Sequence, residues 1–387
     1  IIGAKRKEAF AVVLSLRRTK QSVEREEESE SMASQAVRRW WTRSSPSALL
    51  SAQEKLFASL VRSRPLQYEA TVLNSVEFAP TLPPPPSAPT VILAHGFGSG
   101  LGFFFPNVDA LLDSGRVGRL LLVDWMGMGG SDRPPCRRPV RGLTGWCDSC
   151  FAAPDALGFF TDPLDRWMDE RDVGGKGEEV WLVGHSLGGY LAAKYALGRP
   201  DRIDKLVLAS PVGFPPRPDD VLPRAELSTG VRLIDCLWSA NVTPQALVRM
   251  AGSNRGRTLV SRALRGRIPH LDEARANLLS DYLFHITVAH PSGEFAMNSL
   301  LEPAVSRSNA GVYARDSLEG PLGDLPGSMR LKVLYGDQDW MRPANEESAR
   351  RVTDKLGRDR GALHILPRSG HHLYIDNSDG FVQHILT

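Results

Sequence analysis

The chain has 387 residues, 42% of them apolar, which is enough for one large domain or two ordinary ones around a substantial core. Lys plus Arg number 47 and Asp plus Glu 44, and no basic stripe interleaves with aromatics, so no nucleic-acid partner is expected. Four cysteines (Cys136, Cys147, Cys150, Cys236) make no disulfide framework in this length and point to a reducing compartment, and no run of about eighteen apolar residues could cross a bilayer as a helix.

Residues 1–35 read as a disordered or non-native N-terminal extension: "EREEESE" (24–30) is a like-charge block that cannot bury surface, and Met32 is a candidate start. "AFAVVLSL" (9–16) follows "KRKE" like a secretory signal but runs into "RRTK" without a small-residue cleavage site. From Met32 to Gln53 there is no acid, while Arg38, Arg39, Arg43 and several serines give either a solvated arm or the composition of a mitochondrial transit segment. Residues 36–80 are expected to form this arm plus edge strands, with "YEATVLNSVEF" supplying the antiparallel pairing.

"TLPPPPSAP" (81–89) excludes helix and central strand, because proline lacks the amide donor, and the main domain is expected to start there. Short apolar runs follow: "TVILAHG" (90–96), "RLLLVDWMG" (119–127), "VWLVGHS" (180–186), "KLVLASP" (205–211) and "LKVLYGD" (331–337). Apolar on both faces and alternating with helical patterns, they predict an α/β fold with a mostly parallel central sheet over 90–211 and 329–387. Between them, residues 212–328 show no comparable strand, and "AELSTGVRLIDCLW", "TPQALVRMAG" and "LDEARANLLSDYLFHITVA" predict a helical cap or lid at the carboxyl edge of the sheet, where ligands bind. "CDSC" (147–150) has metal spacing, but a zinc site needs a second ligand pair and His95 and His185 lie far off, so no metal is expected.

"GHSLGG" (184–189) fits G-x-S-x-G between the strand "VWLV" and the helix "YLAAKYAL". Ser186 is the expected nucleophile, on an elbow built with Gly184, His185 and Gly188, where glycines leave room for a strained turn. A serine hydroxyl needs a base and a third group to orient that base, in the chain order Ser, acid, His. Asp337 and Asp339 both follow the strand "LKVL"; Asp339 reaches further into the loop and is the expected acid, with Asp337 the loop former. Four histidines come later, His364, His371, His372 and His384, and His371, after the turn "RSG", is the expected base. "HGFGSG" (95–100) after the first buried strand predicts an oxyanion hole from the main-chain amides of Phe97 and Leu187, and Asp124 in "DWMGMGGS" reads as structural.

These pieces resemble the α/β-hydrolase superfamily, and within it the lipid-handling subfamily of a lipid-droplet lipase coactivator, a lysophospholipase of N-acylphosphatidylethanolamine, and plant lysophosphatidic acid acyltransferases with phospholipase activity. The resemblance runs from about residue 36 to the end and is carried by "GHSLGGYLAAKYALGRP", "LVLASPVGFP", "LSDYLFHITVAHPSGE" and "SGHHLYIDN". It implies phospholipid or lysophospholipid substrates, no cofactor beyond acyl-CoA as a co-substrate of transfer, and a cytoplasmic protein at a membrane or droplet surface, reached through Trp40 and Trp41 of "RRWWTR". It gives His371 and Asp376 a second label, the H-x-x-x-x-D pattern of glycerolipid acyltransferases; the competing reading has Asp376 capping the last helix. The coactivator branch has asparagine at the nucleophile, whereas Ser186 is kept here, which favours an enzyme over a non-catalytic lipase regulator. The stretch 136–158 departs from the usual "S-R-P" loop of the subfamily.

Overall fold

The protein is described by a computed structural model covering residues 44–66, 71–80, 83–134, 153–307 and 310–387. The extension 1–35, Trp40, Trp41, the "CDSC" cysteines and most of 136–158 lie outside the described residues.

Helix α1 (Pro46–Leu60) starts where Ser45 Oγ accepts from the Ala48 amide at 3.1 Å and proline fills the first turn, a position that needs no amide partner. Its Leu49, Leu56 and Phe57 are buried against Leu279 and Tyr282 of the cap. For the described residues this corrects the solvated-arm reading and places the domain start well before the prolines, while 32–43 of that arm lie outside the described residues. The missing acids drew attention from a 3-to-4-residue apolar spacing that buries one helix face.

Strands β1 (Pro65–Leu66) and β2 (Ser75–Phe78) form the antiparallel edge. After them come β3 (Thr90–Ala94), α2 (Phe105–Asp113), β4 (Arg119–Val123), α3 (Ala153–Glu170), β5 (Val180–His185), α4 (Leu187–Gly198) and β6 (Lys205–Ala209). The cap holds α5 (Thr229–Ser239), α6 (Pro244–Met250), α7 (Ser253–Arg267), α8 (Glu273–Val288) and α9 (Gly293–Leu300). It also holds an antiparallel pair, β7 (Leu301–Val305) and β8 (Ala310–Ala314), then α10 (Glu319–Gly323). That pair corrects the all-helical expectation: "LEPAV" and "AGVYA" are half-exposed and lack the continuous apolar run by which buried strands are recognised. The chain returns through β9 (Arg330–Gly336), α11 (Arg342–Leu356), β10 (Gly361–Leu366), α12 (Leu373–Asp376) and α13 (Ser378–Leu386).

The sheet order is β1-β2-β4-β3-β5-β6-β9-β10, parallel from β4 onward. Alternate residues of each strand feed cores on the two faces: Ile92, Leu182 and Leu208 on one, Val91, Val183 and Val207 on the other. Strand β3 connects to β4 on one side and is flanked by β5 on the other, so the strand order reverses at its carboxyl end and leaves a crevice there.

Candidate active site

Ser186 stands at that crevice, in the turn between β5 and α4, with φ 53° and ψ −119°. A non-glycine residue with positive φ is strained, and the turn is held by the Ser186 amide donating to Ala209 O at 2.9 Å. Two glycines make the approach possible. A Cβ on Gly184 would stand 2.4 Å from Gly188 O, and one on Gly188 2.2 Å from His95 O, so neither position admits a side chain.

His371 follows β10 and places Nε2 3.0 Å from Ser186 Oγ, while its Nδ1 lies 3.0 Å from Asp339 Oδ1. Asp339, in the loop after β9, is buried, and the same Oδ1 accepts the Met341 amide at 3.0 Å. A carboxylate only accepts, so Nδ1 carries the hydrogen and Nε2 is left to receive the serine proton. The other three histidines go elsewhere. His364 stacks on His384 at 4.1 Å between centroids, and His372 Nδ1 meets the Tyr374 hydroxyl at 2.9 Å.

The turn that presents His371 is pinned by two further carboxylates. Asp337 accepts the Ser369 amide at 2.9 Å, and Asp376 accepts the Gly370 amide at 2.8 Å. Asp376 therefore does not cap the last helix, whose start is capped by Asn377 accepting from the Gly380 amide at 3.0 Å, and the carboxylate on the imidazole is that of Asp339. The His185 Nε2–H donates to His371 O at 2.8 Å, fixing the backbone of the base from behind. His185 and His372 are held well below the ordinary imidazole range, chiefly by burial and then by the neighbouring imidazoles, so both are neutral beside His371.

Phe97 and Leu187 line the same cavity as Ser186 and His371. Leu187 is the first residue of α4, so its amide has no acceptor within the helix. The Phe97 loop is anchored by buried Asp124, which takes the Leu101 amide at 2.7 Å and the Gly130 amide at 2.8 Å and lies 3.1 Å from His95 Nε2. The cavity is walled by Val212, Met297 and Leu301, by Trp238 and Trp340 and by Arg267. Of these, Trp340 carried a signal in its adjacency to Asp339; the rest come from the cap and meet Ser186 only through tertiary folding. Among the described residues no cluster of His, Cys, Asp or Glu could hold a metal, and no helix is long and apolar enough to cross a membrane.

Nucleophile, base, acid and two candidate amide donors beside an apolar cavity can form and resolve an acyl-serine. Residues 89–233 match the family model described as the alpha/beta hydrolase fold. A 1-acylglycerol-3-phosphate O-acyltransferase of Arabidopsis thaliana is 31% identical over 331 residues, 82% of this chain and 69% of that protein. A probable enzyme of the same name from Oryza sativa subsp. japonica is 31% identical over 304 residues, 76% of this chain and 66% of that protein, so the match spans about two thirds of the rice relative. A (lyso)-N-acylphosphatidylethanolamine lipase of Bos taurus is 29% identical over 289 residues, 74% of this chain and 75% of that protein. Among solved structures, a membrane phospholipase A, described as a bacterial virulence factor, has a TM-score of 0.54 at 19% identity, covering 88% of this chain and 89% of the other.

Proposed function

Because the chain belongs to the lipid-acting α/β hydrolases, we propose that it is a serine-dependent acyl hydrolase of phospholipids or lysophospholipids that also transfers acyl groups to lysophosphatidic acid. The observation that carries this reading is the unbroken run Ser186 Oγ, His371, Asp339, at 3.0 Å per step, opening onto an apolar cavity.

In the proposed reaction His371 Nε2 takes the Ser186 proton as Oγ attacks the ester carbonyl. The oxyanion is received by the amides of Phe97 and Leu187, and the proton then passes to the departing alcohol. With acyl-CoA as donor the bond attacked is the thioester and the proton passes to the departing CoA thiol. In either case His371 then takes the proton of the resolving water or lysophospholipid hydroxyl and returns it to Ser186 Oγ as the acyl group leaves. Since Asp376 holds a backbone turn, transfer by this reading runs through Ser186 and does not use His371 and Asp376 as a separate dyad.

A regulator that turns nothing over would need no strained serine at hydrogen-bond distance from a histidine, so the geometry favours the enzyme. Contact with a membrane or droplet surface through Trp40 and Trp41 belongs to the same proposal. A fluorophosphonate probe should label Ser186 stoichiometrically and fail on Ser186→Ala, with hydrolysis falling about 10⁴-fold or more. An unlabelled wild-type protein that is folded would refute the reading. Lysophosphatidic acid plus acyl-CoA, assayed against phospholipid alone, separates transfer from hydrolysis.

A further inference from the structure

Phe97 stands between two cavities. One is the apolar space at Ser186; the other, open to solvent, is walled by the turns at Gly98 and Gly127 and by Arg133, Gln245, Arg249 and Glu294. The second carries three charged side chains. Arg249 and Glu294 form a buried two-pronged pair at 2.7 and 3.1 Å and cancel each other.

Arg133 is left over. Its Nη1 donates to His290 O at 2.8 Å and its Nη2 to Gly129 O at 2.8 Å, with Ile286 O at 3.4 Å, all neutral acceptors; among the described residues it pairs with no carboxylate. Its Nε–H and one Nη1–H remain uncommitted. The next carboxylate, Asp124, is taken up by the amides of Leu101 and Gly130 and by Asn74, and does not line the cavity. Across the space, the Gln245 carboxamide makes no hydrogen bond among the described residues: Oε1 is buried without a partner, and Nε2 lies 3.6 Å from where a Cβ on Gly98 would stand. Burial, and then the charge of Arg249, lower the Arg133 pKa to about 10 against the opposing pull of the Glu294 and Asp124 carboxylates, so the guanidinium is charged at neutral pH.

A partly buried guanidinium with two uncommitted N–H groups, facing an amide whose Nε2 has no hydrogen-bond partner among the described residues, offers the donors that the several oxygens of a phosphate group accept. We propose that the Arg133–Gln245 cavity is a phosphate subsite, filled by the head group of a lysophospholipid whose acyl ester lies across Phe97 at Ser186, or by free phosphate. The lipid role rests on the hydrolase reading; the binding of phosphate does not.

The test is calorimetric titration of the full chain with glycerol 3-phosphate, inorganic phosphate and, as a neutral control, glycerol. Glycerol 3-phosphate should bind and glycerol should not, with binding weakened at least about tenfold by Arg133→Gln and, separately, by Gln245→Leu. Arg133 bonds the backbone, so its variant is checked by thermal melting; Gln245 is half-buried on α6 and bonds nothing, and Gln245→Leu keeps the test open should the first variant misfold. Tighter binding of glycerol 3-phosphate than of phosphate assigns the site to a lipid head group, and equal binding assigns it to the phosphate alone. Absence of binding by both anions, or affinity unchanged in both variants, overturns the proposal. No step of this titration needs turnover, so failure of Ser186 to label would end the hydrolase reading without touching the subsite. In the active enzyme, the ratio of kcat/KM for lysophosphatidic acid over monoacylglycerol should fall at least about tenfold in Gln245→Leu.

Discussion

Three carboxylates converge near His371, and each does something different. Asp339 meets the ring, Asp337 ties down Ser369 and Asp376 ties down Gly370. Asp339→Asn should therefore leave the fold intact and lower kcat about 10⁴-fold, because an amide in place of the carboxylate stabilises the wrong tautomer of the base. Asp376→Asn keeps an oxygen for the Gly370 amide and should hold kcat within about fivefold of wild type for both hydrolysis and transfer. Parallel kinetics of the two variants decide the point, and a collapse of transfer alone in Asp376→Asn would restore the acyltransferase dyad. The reach of Asp339 and His371 was legible in the sequence, since each follows a recognisable strand by a few residues in the Ser, acid, His order. The role of Asp376 was not, because a side chain that accepts a backbone amide six residues earlier is specified by the turn and not by spelling.

At the scale of elements, buried parallel strands were the plainest features, for they are apolar on both faces and bounded by glycine. Helices α1 and α7 were harder. The first lies in a stretch whose lack of acids suggested an arm, and the second, "SNRGRTLVSRALRGR", carries five arginines around a narrow apolar seam of Val260 and Leu264. Helix α1 is integral to the domain: Leu56 is fully buried, and its Cδ2 lies 2.7 Å from where a Cβ on Gly102 would stand, in the segment after the Phe97 loop. Leu56→Ala should cost about 2 to 5 kcal/mol in urea unfolding, the usual range for a large-to-small change in a packed core. A loss below about 0.5 kcal/mol would mean that α1 is peripheral after all.

For the molecule as a whole, stability should depend on pH through histidines that are neutral when folded. His185 and His372 are buried with pKa values well below 6.5, and His384 is lowered to about 4, chiefly by burial and then by His364. In the unfolded chain these rings take up protons near pH 6.5, so the unfolded state binds more protons below that pH. The sign follows: the stability is fully present above about pH 6.5 and declines as pH falls toward the folded values. Denaturant titrations at pH 7.5, 6 and 5 should show unfolding linked to uptake of about two or more protons at the lowest pH; a flat profile would mean that these rings are not buried neutral. The same architecture has a consequence for synthesis. In the proposed triad His371 comes 185 residues after Ser186, so at about 5 to 20 residues per second a ribosome spends about 10 to 40 s extending a chain that already holds the serine and still lacks that imidazole. On the proposed reading, a nascent polypeptide stays inert toward nearby lipid until the segment after β10 has been made.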